Sequence, residues 1–275
     1  MTTEAVANCS TAGKADMSIK IIFHERYHNS SYATDPAASQ GRLEGIIDTI
    51  KRRPDLYEMI APDRAGEADI LRAHSRHHFE RIKRDPLLYE LSALAAGGAI
   101  MAAEKAYDGD AAFAVIRPPG HHASADSCWG FCYFNNMSIS LLRLYWEKKI
   151  RSAFVLDFDL HTGDGNINIL RNRNDGFVVS ILNPVSGERG DYLREVEAYM
   201  KKMTDIDIFA ASAGFDQGIH DWGGLLYPED YRGLGRLMKE YSERLCKGRR
   251  YAILEGGYNH QVIGLNVDSF CQGFA

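Results

Sequence analysis

Short β-rich apolar runs alternate with longer helical patterns along almost the whole of this 275-residue chain, and that rhythm limits its fold more than any other feature. The candidate strands are Lys20 to His24, Ala112 to Ile116, Ala153 to Asp157, Phe177 to Leu182, Ile206 to Ser212 and Tyr251 to Leu254. Helical patterns fall at Gly41 to Arg52, Glu67 to Ala73, Ser75 to Lys83, Leu91 to Tyr107, Met137 to Lys148, Tyr192 to Met203 and Pro228 to Leu245. Strand and helix in turn are the mark of βαβ units, so the chain reads as an α/β protein with a mostly parallel central sheet and helices on both faces. No repeat, low-complexity tract or Pro/Gly/Ser linker divides it. Residues 18–275 are therefore expected to form one domain, after a polar, Ala/Thr-rich leader over residues 1–17 that lacks the apolar core of a signal peptide and is expected to be mobile.

Composition serves mainly to exclude. The formal charge of -5 has no Lys/Arg block behind it, so neither nucleic acid nor an anionic membrane surface is an expected partner. No run reaches the roughly 18 consecutive apolar residues of a membrane span. The five cysteines, Cys9, Cys128, Cys132, Cys246 and Cys271, are odd in number and form no CxxC pair. That spacing suggests neither a disulfide framework nor a cysteine zinc knuckle, and a reducing, cytoplasmic location is expected.

The loops behind the strands carry the chemistry. After the second strand comes Arg117-Pro118-Pro119-Gly120-His121-His122; after the third, Phe158-Asp159-Leu160-His161-Thr162-Gly163-Asp164-Gly165; after the fifth, Ala213-Gly214-Phe215-Asp216; after the last, Glu255-Gly256-Gly257-Tyr258. In a parallel sheet all carboxyl ends share one edge, so these loops are expected to converge. Alternation along an extended segment puts Asp157, Asp159 and His161 on one side and Phe158 and Leu160 on the other. Carboxylates at the end of a buried strand are costly unless paired, and a divalent cation is the usual partner. Asp159, His161 and Asp216 thus make a three-ligand set with positions left for water and substrate. His121 and His122 suit proton transfer, with Asp157 and Asp164 available to orient them. Tyr258, behind two glycines, can donate to a developing oxyanion. Asn135 or Asn136 is expected to cap the helix near Met137, and Phe131 to be either core or the wall of an apolar slot.

In order, these motifs resemble those of the histone deacetylase and acetylpolyamine amidohydrolase family. Arg117 to His122 is similar to its RPPGHH box, Gly130 to Asn136 to its GFCxFNN segment and Asp157 to Gly165 to its DxDxHxGDG segment. Ser212 to Asp216 and Glu255 to Tyr258 resemble its remaining site loops, and Ala73-His74-Ser75 and Gly41-Arg42-Leu43 extend the likeness upstream. The resemblance implies a three-layer arginase-like fold and a zinc ion, or ferrous iron in its place, on Asp159, His161 and Asp216. It further implies that Asp157 supports His121, that Asp164 supports His122 and that His122 is the general base and acid. Tyr258 would bind the oxyanion, while Gly130, Phe131 and Gly256 would line the substrate slot. A potassium ion would sit near Asp157, Asp159, His161, Ser180 and Ile181. The implied substrate is an acylated amine, either acetyl-lysine in a peptide or an acetylpolyamine.

Two departures matter. Thr162 stands where many members carry a second His, at a position that holds no metal. The segment after Ser180 lacks the aromatic that in many members faces the Phe131 position, so one wall of the slot is expected to be open. Two other readings compete: a non-catalytic protein that binds metal or acyl-amine on the same fold, and an arginase-like ureohydrolase with two manganese ions.

Overall fold

In the structure, a computed structural model, residues 18–275 except Asn172 are described. The leader expected over residues 1–17, with Cys9, lies outside the described residues. Strands β1 (Ile19–Ile22), β2 (Tyr57–Ile60), β3 (Ala111–Ala114), β4 (Ser152–Asp157), β5 (Val178–Leu182), β6 (Phe209–Ala213) and β7 (Arg250–Leu254) form one sheet in the order β2-β1-β3-β7-β6-β4-β5. Every pairing is parallel. The fold is therefore a three-layer arginase-like α/β fold, as expected.

The chain order explains the site. β3 does not pair with the next strand, β4; β6 and β7 come back later and fill the gap between them. The four strands whose following loops carry reactive residues are thus neighbours in the middle of the sheet. Register places Ala114, Ile253, Ser212 and Asp157 level with one another across that block, so the loops beyond them leave from one line. β6 and β7 are buried along their whole length, which fits their mostly apolar sequences in a sheet covered on both sides.

Helices α1 (Glu44–Lys51), α2 (Glu67–Ile70), α3 (Arg76–Lys83), α4 (Pro86–Asp108), α5 (Asn136–Trp146), α6 (Asp164–Leu170), α7 (Arg189–Met200), α8 (Pro228–Cys246) and α9 (Ile263–Phe274) cover the sheet. Their starts have local causes. The Ser75 hydroxyl accepts from the His78 amide at 3.0 Å, and the Asn135 side-chain Oδ1 accepts from the Ser138 amide at 2.7 Å, so Asn135 rather than Asn136 caps α5. The Asp85 carboxylate takes the Leu87 and Leu88 amides with Pro86 in the first turn, which starts α4 well before the Leu91 that periodicity suggested. α4 is long and apolar enough to cross a membrane, yet it packs inside the fold against α5 and β3.

Three elements escape the sequence pattern. β2 is an edge strand with only Tyr57 buried, so it shows no apolar run. α6 is only seven residues long and carries two Asn. α9 buries Asn266, Asp268 and Ser269 among its apolar residues, Asp268 meeting the Tyr57 hydroxyl at 2.5 Å and Arg53 at 3.2 Å, which erases its amphipathic signature.

Candidate active site

β4 ends at Asp157, and the chain beyond it turns rather than continuing extended. The sides still come out as alternation predicts. Phe158 packs among Phe215, Tyr231 and Phe270, while Asp157, Asp159 and His161 all face the polar side. One atom each from Asp159, His161 and Asp216 lies within 4.8 Å of the others. Gly214 and Gly256 make this possible by close approach: a methyl group on Gly214 would meet the Asp159 carboxylate at 2.2 Å, and one on Gly256 would meet the Asp159 and Asp216 carboxylates at 2.5 and 2.7 Å. The Gly256 amide instead donates to Asp159 Oδ2 at 2.8 Å, and the Leu160 amide to Asp216 Oδ1 at 3.0 Å.

Charge balance shows that this cradle fits a cation. His161 Nδ1 lies 3.2 Å from Asp159 Oδ1 and 3.2 Å from Asp216 Oδ2, but a ring nitrogen carries at most one proton and cannot serve both. Asp216 Oδ2 is buried without a hydrogen-bond partner, an arrangement that costs free energy unless a positive charge stands there. The electrostatics agree. The adjoining Asp159 and Asp216 carboxylates raise His161 to about 10, and burial together with the Asp159 charge raises Asp216 to about 6. Burial alone would raise Asp159 too, but the nearby His121 charge and the His161 hydrogen bond hold it well below the usual carboxylate range. These residue types, two carboxylates and an imidazole, suit zinc or ferrous iron.

The imidazole pair stands beside the cradle with ring centroids 4.0 Å apart. His121 Nδ1 is 3.3 Å from Asp157 Oδ2, and His122 Nδ1 is 2.7 Å from Asp164 Oδ1. Their basicities diverge. Burial works against a charged His121, but the Asp159 and Asp157 carboxylates outweigh it and raise the ring well above its ordinary value. Burial and the His121 charge push His122 down to about 4. With Nδ1–H directed at Asp164, His122 keeps a lone pair on Nε2.

Several residues that hold the site carried no functional signal on their own. Glu255 accepts from the Gly120 and His121 amides at 2.7 and 3.2 Å, tying the end of β7 to the loop after β3. Arg42, fully buried, donates to the Gly257 carbonyl at 2.8 Å and to the Glu255 carbonyl, and lies 5.4 Å from the Tyr258 ring centre. The Asp221 carboxylate takes the Tyr258 and Asn259 amides at 2.7 Å each. Burial, then the Asp159 charge, raise the Tyr258 phenol, which stays protonated. Trp129 covers His122 at 3.9 Å and donates to Asp164 Oδ2 at 2.9 Å. Only adjacency to a motif could have drawn attention to Trp129 or Asp221.

A slot of about 320 Å³ opens onto this assembly, lined by Pro119, His121, His122, Trp129, Gly130, Phe131, His161, Trp222, Gly256 and Tyr258. Phe131 is therefore wall rather than core, and it is held with φ 66° directly after Gly130 at φ 56°. Thr162 is exposed and stands outside that lining. Ser180 and Ile181 lie in β5, opposite Phe154 and Val155 of β4, and do not line the slot. A larger cavity of about 830 Å³ opens near the start of β4 and β5, at the other edge of the sheet, where no His, Cys or Glu lines it.

Fold and site thus define an arginase-like α/β protein whose strand-end slot joins a metal-type cradle to an imidazole pair. Comparison with known proteins gives the family: residues 36–191 match the histone deacetylase domain, and the chain belongs to that family of deacetylases and amidohydrolases. It is 30% identical over 301 residues to a "Probable deacetylase" of Methanothermobacter thermautotrophicus, covering 92% of this chain and 90% of that one. It is 26% identical to a "Histone deacetylase-like amidohydrolase" of Pseudomonas aeruginosa, covering 85% of this chain and 74% of the other. The crystal structure of the HDA15 HD domain superposes with a TM-score of 0.80 over 94% of this chain and 90% of that one, at 20% identity.

Proposed function

We propose that this protein is a metal-dependent amidohydrolase that removes an acyl group, acetyl above all, from an amine such as acetyl-lysine or an acetylpolyamine. The observation that carries this reading is that the Asp159–His161–Asp216 cradle and the His122 imidazole line one slot together with the Tyr258 phenol. Binding alone needs neither a base nor an oxyanion donor.

Asp159, His161 and Asp216 hold zinc, with ferrous iron as the alternative; when bound, such an ion supplies Lewis acidity toward an amide carbonyl and a water. His122 Nε2 takes the proton of the attacking water and later hands it to the leaving nitrogen, while Asp164 keeps the ring in the required tautomer. Tyr258 donates to the carbonyl oxygen as negative charge builds there. His121, charged between Asp157 and Asp159, keeps His122 weakly basic, so that the proton it takes is readily released. The potassium reading also has support: Asp157 Oδ1 is buried with no hydrogen-bond partner, the Asn183 amide reaches the Asp157 carbonyl at only 3.3 Å, and Ser180 and Ile181 run beside β4 just before Asp157. Cys128, Cys132, Cys246 and Cys271 are free thiols, in keeping with a cytoplasmic location.

The test is turnover of acetyl-lysine peptides and acetylpolyamines by purified, zinc-reconstituted protein beside His122→Ala and Asp159→Ala. Turnover lost in both variants is expected. Equal turnover in all three proteins would overturn the mechanism.

A further inference from the structure

The slot lining holds two tryptophans and nothing from the segment that leaves β5. Trp222 stacks on the Tyr258 ring at 4.0 Å, whereas Trp129 stands on the other side, over the His122 imidazole. Its use follows from a difference between the two carboxylate-backed rings. Asp157, behind His121, is fully buried and is held a second time by Asn166 Nδ2 at 3.1 Å. Asp164, behind His122, has 42% of its side chain exposed, so water competes for its oxygens and burial does not hold its rotamer. Trp129 supplies what burial does not: Nε1–H donates to Asp164 Oδ2 at 2.9 Å while Oδ1 faces His122 Nδ1 at 2.7 Å. The indole also lies over the His122 ring, with centroids 3.9 Å apart and planes at 31°. The backbone is shaped for this contact. Gly130 and Phe131 follow with φ of 56° and 66°, the Cys132 amide closes a turn on the Trp129 carbonyl at 3.0 Å, and a methyl group on Gly130 would meet His122 Cδ2 at 2.4 Å. Only a glycine lets the segment come so near the imidazole.

We propose that Trp129 is a positioning residue for proton transfer: its indole N–H fixes the Asp164 carboxylate in line with His122, and its ring face backs the imidazole while that ring carries a proton. The proposal rests on the deacylase reading above and adds a residue that acts through the base rather than on the acyl-amine. A carboxylate whose two oxygens face separate donors cannot rotate without losing a hydrogen bond. Asp164 therefore keeps His122 Nδ1–H occupied and leaves the Nε2 lone pair to the slot. An aromatic face attracts a cation, so the indole holds His122 more strongly after it has taken the water's proton than before. That preference belongs to the reacting state, where it lowers the barrier, and not to the resting protein. Trp129 is 54% exposed, so core packing does not account for its place, and the pair it touches does.

The experiment compares zinc-loaded wild type, Trp129→Phe, Asp164→Ala and the double variant in turnover of an acetyl-lysine peptide and an acetylpolyamine, beside thermal melts. Trp129→Phe keeps a ring over His122 and removes the N–H, so it should lower kcat by roughly 3- to 10-fold and leave KM within about twofold at an unchanged melting temperature. In the Asp164→Ala background the same substitution should cost less than about twofold, because the group through which the N–H acts is gone. A further readout needs no turnover: in isotope-labelled protein the Trp129 indole N–H resonance should move upfield in Asp164→Ala, as a lost hydrogen bond requires. Equal costs of Trp129→Phe in the two backgrounds, or a loss confined to KM, would overturn the positioning role and make Trp129 a contact of the substrate. An indole resonance indifferent to Asp164 overturns it as well. A wild type inactive on both substrates overturns the deacylase reading, and the role goes with it.

Discussion

Two pairs of imidazoles flank the Gly130 to Asn136 segment, and they are built for opposite ends. His121 and His122 lie 4.0 Å apart and are backed by carboxylates; His74 and His78 lie 4.8 Å apart and are backed chiefly by the main chain. His74 donates from Nδ1 to the Ser124 carbonyl at 2.9 Å and accepts at Nε2 from the Asn135 amide at 2.8 Å. His78 donates from Nε2 to the Tyr133 carbonyl at 2.7 Å and accepts at Nδ1 from Arg81 at 2.8 Å. A carbonyl only accepts, and a backbone amide or a guanidinium only donates, so each ring of the second pair is locked as one neutral tautomer. Such a ring fixes a loop. A ring whose Nδ1–H faces a carboxylate keeps a free lone pair on its other nitrogen, and it can move protons. The lesson is that residue type sets the repertoire while the partner selects the role.

The comparison can be broken or sharpened by substitution, beginning with its strongest claim. His122→Ala should lower the deacylation rate roughly 10²–10⁴-fold with the fold intact, read as kcat beside a thermal melt; a small loss would move His122 out of the reacting pair. Tyr258→Phe should cost about 3 kcal/mol of activation energy in kcat at unchanged stability. Loss of stability without loss of rate would make Tyr258 a packing residue instead. Asp164→Ala leaves His122 Nδ1 without its carboxylate and should reduce kcat about 10–100-fold. No change there would remove the distinction drawn between carboxylate-backed and carbonyl-backed rings.

The smallest effect belongs to the structural pair. Burial, and next the proximity of His78, push His74 down to about 3, with the Phe134 ring closing a further side. The unfolded chain takes up that proton near pH 6.5 and the folded one does not, so the stability tied to a neutral His74 is complete above pH 6.5. It is lost as pH falls from there toward 3. Urea unfolding at pH 5 should give a stability lower than at pH 7 by about 2 kcal/mol from this group. His74→Gln, which keeps one donor and one acceptor, should flatten that acid limb; an unchanged pH difference in the variant would assign it to other groups.

The local sequence made much of the site readable. Asp159 and His161 are two residues apart, and alternation read along the sequence put them on one side, a placement that held although the chain already turns after Asp157. The Gly-rich loops behind apolar runs marked the ends of β3, β4, β6 and β7. Partner assignments were less legible from the residues alone, because Asp157 and Asp164 stood equally available to His121 and His122 until the structure gave separations of 3.3 and 2.7 Å. Glu255, Arg42 and Trp222 gave no sign by themselves, since each acts on groups far away along the chain. β2 and α9 were hidden for a related reason: an edge strand needs little apolar surface, and α9 buries polar side chains that find partners on other elements.

The sequence by itself determined which chemistry was available, because side-chain type and the two- and 3.6-residue periods are properties of neighbouring residues. Only the tertiary structure decided that the four reactive loops adjoin. That outcome depends on β6 and β7 filling the space between β3 and β4, and the sum of long-range packing over the whole sheet selects that strand order. The tertiary structure also put Trp222 in the slot wall that the segment after β5 leaves bare, since the close approach of one loop to another is invisible to a pattern read along a single strand.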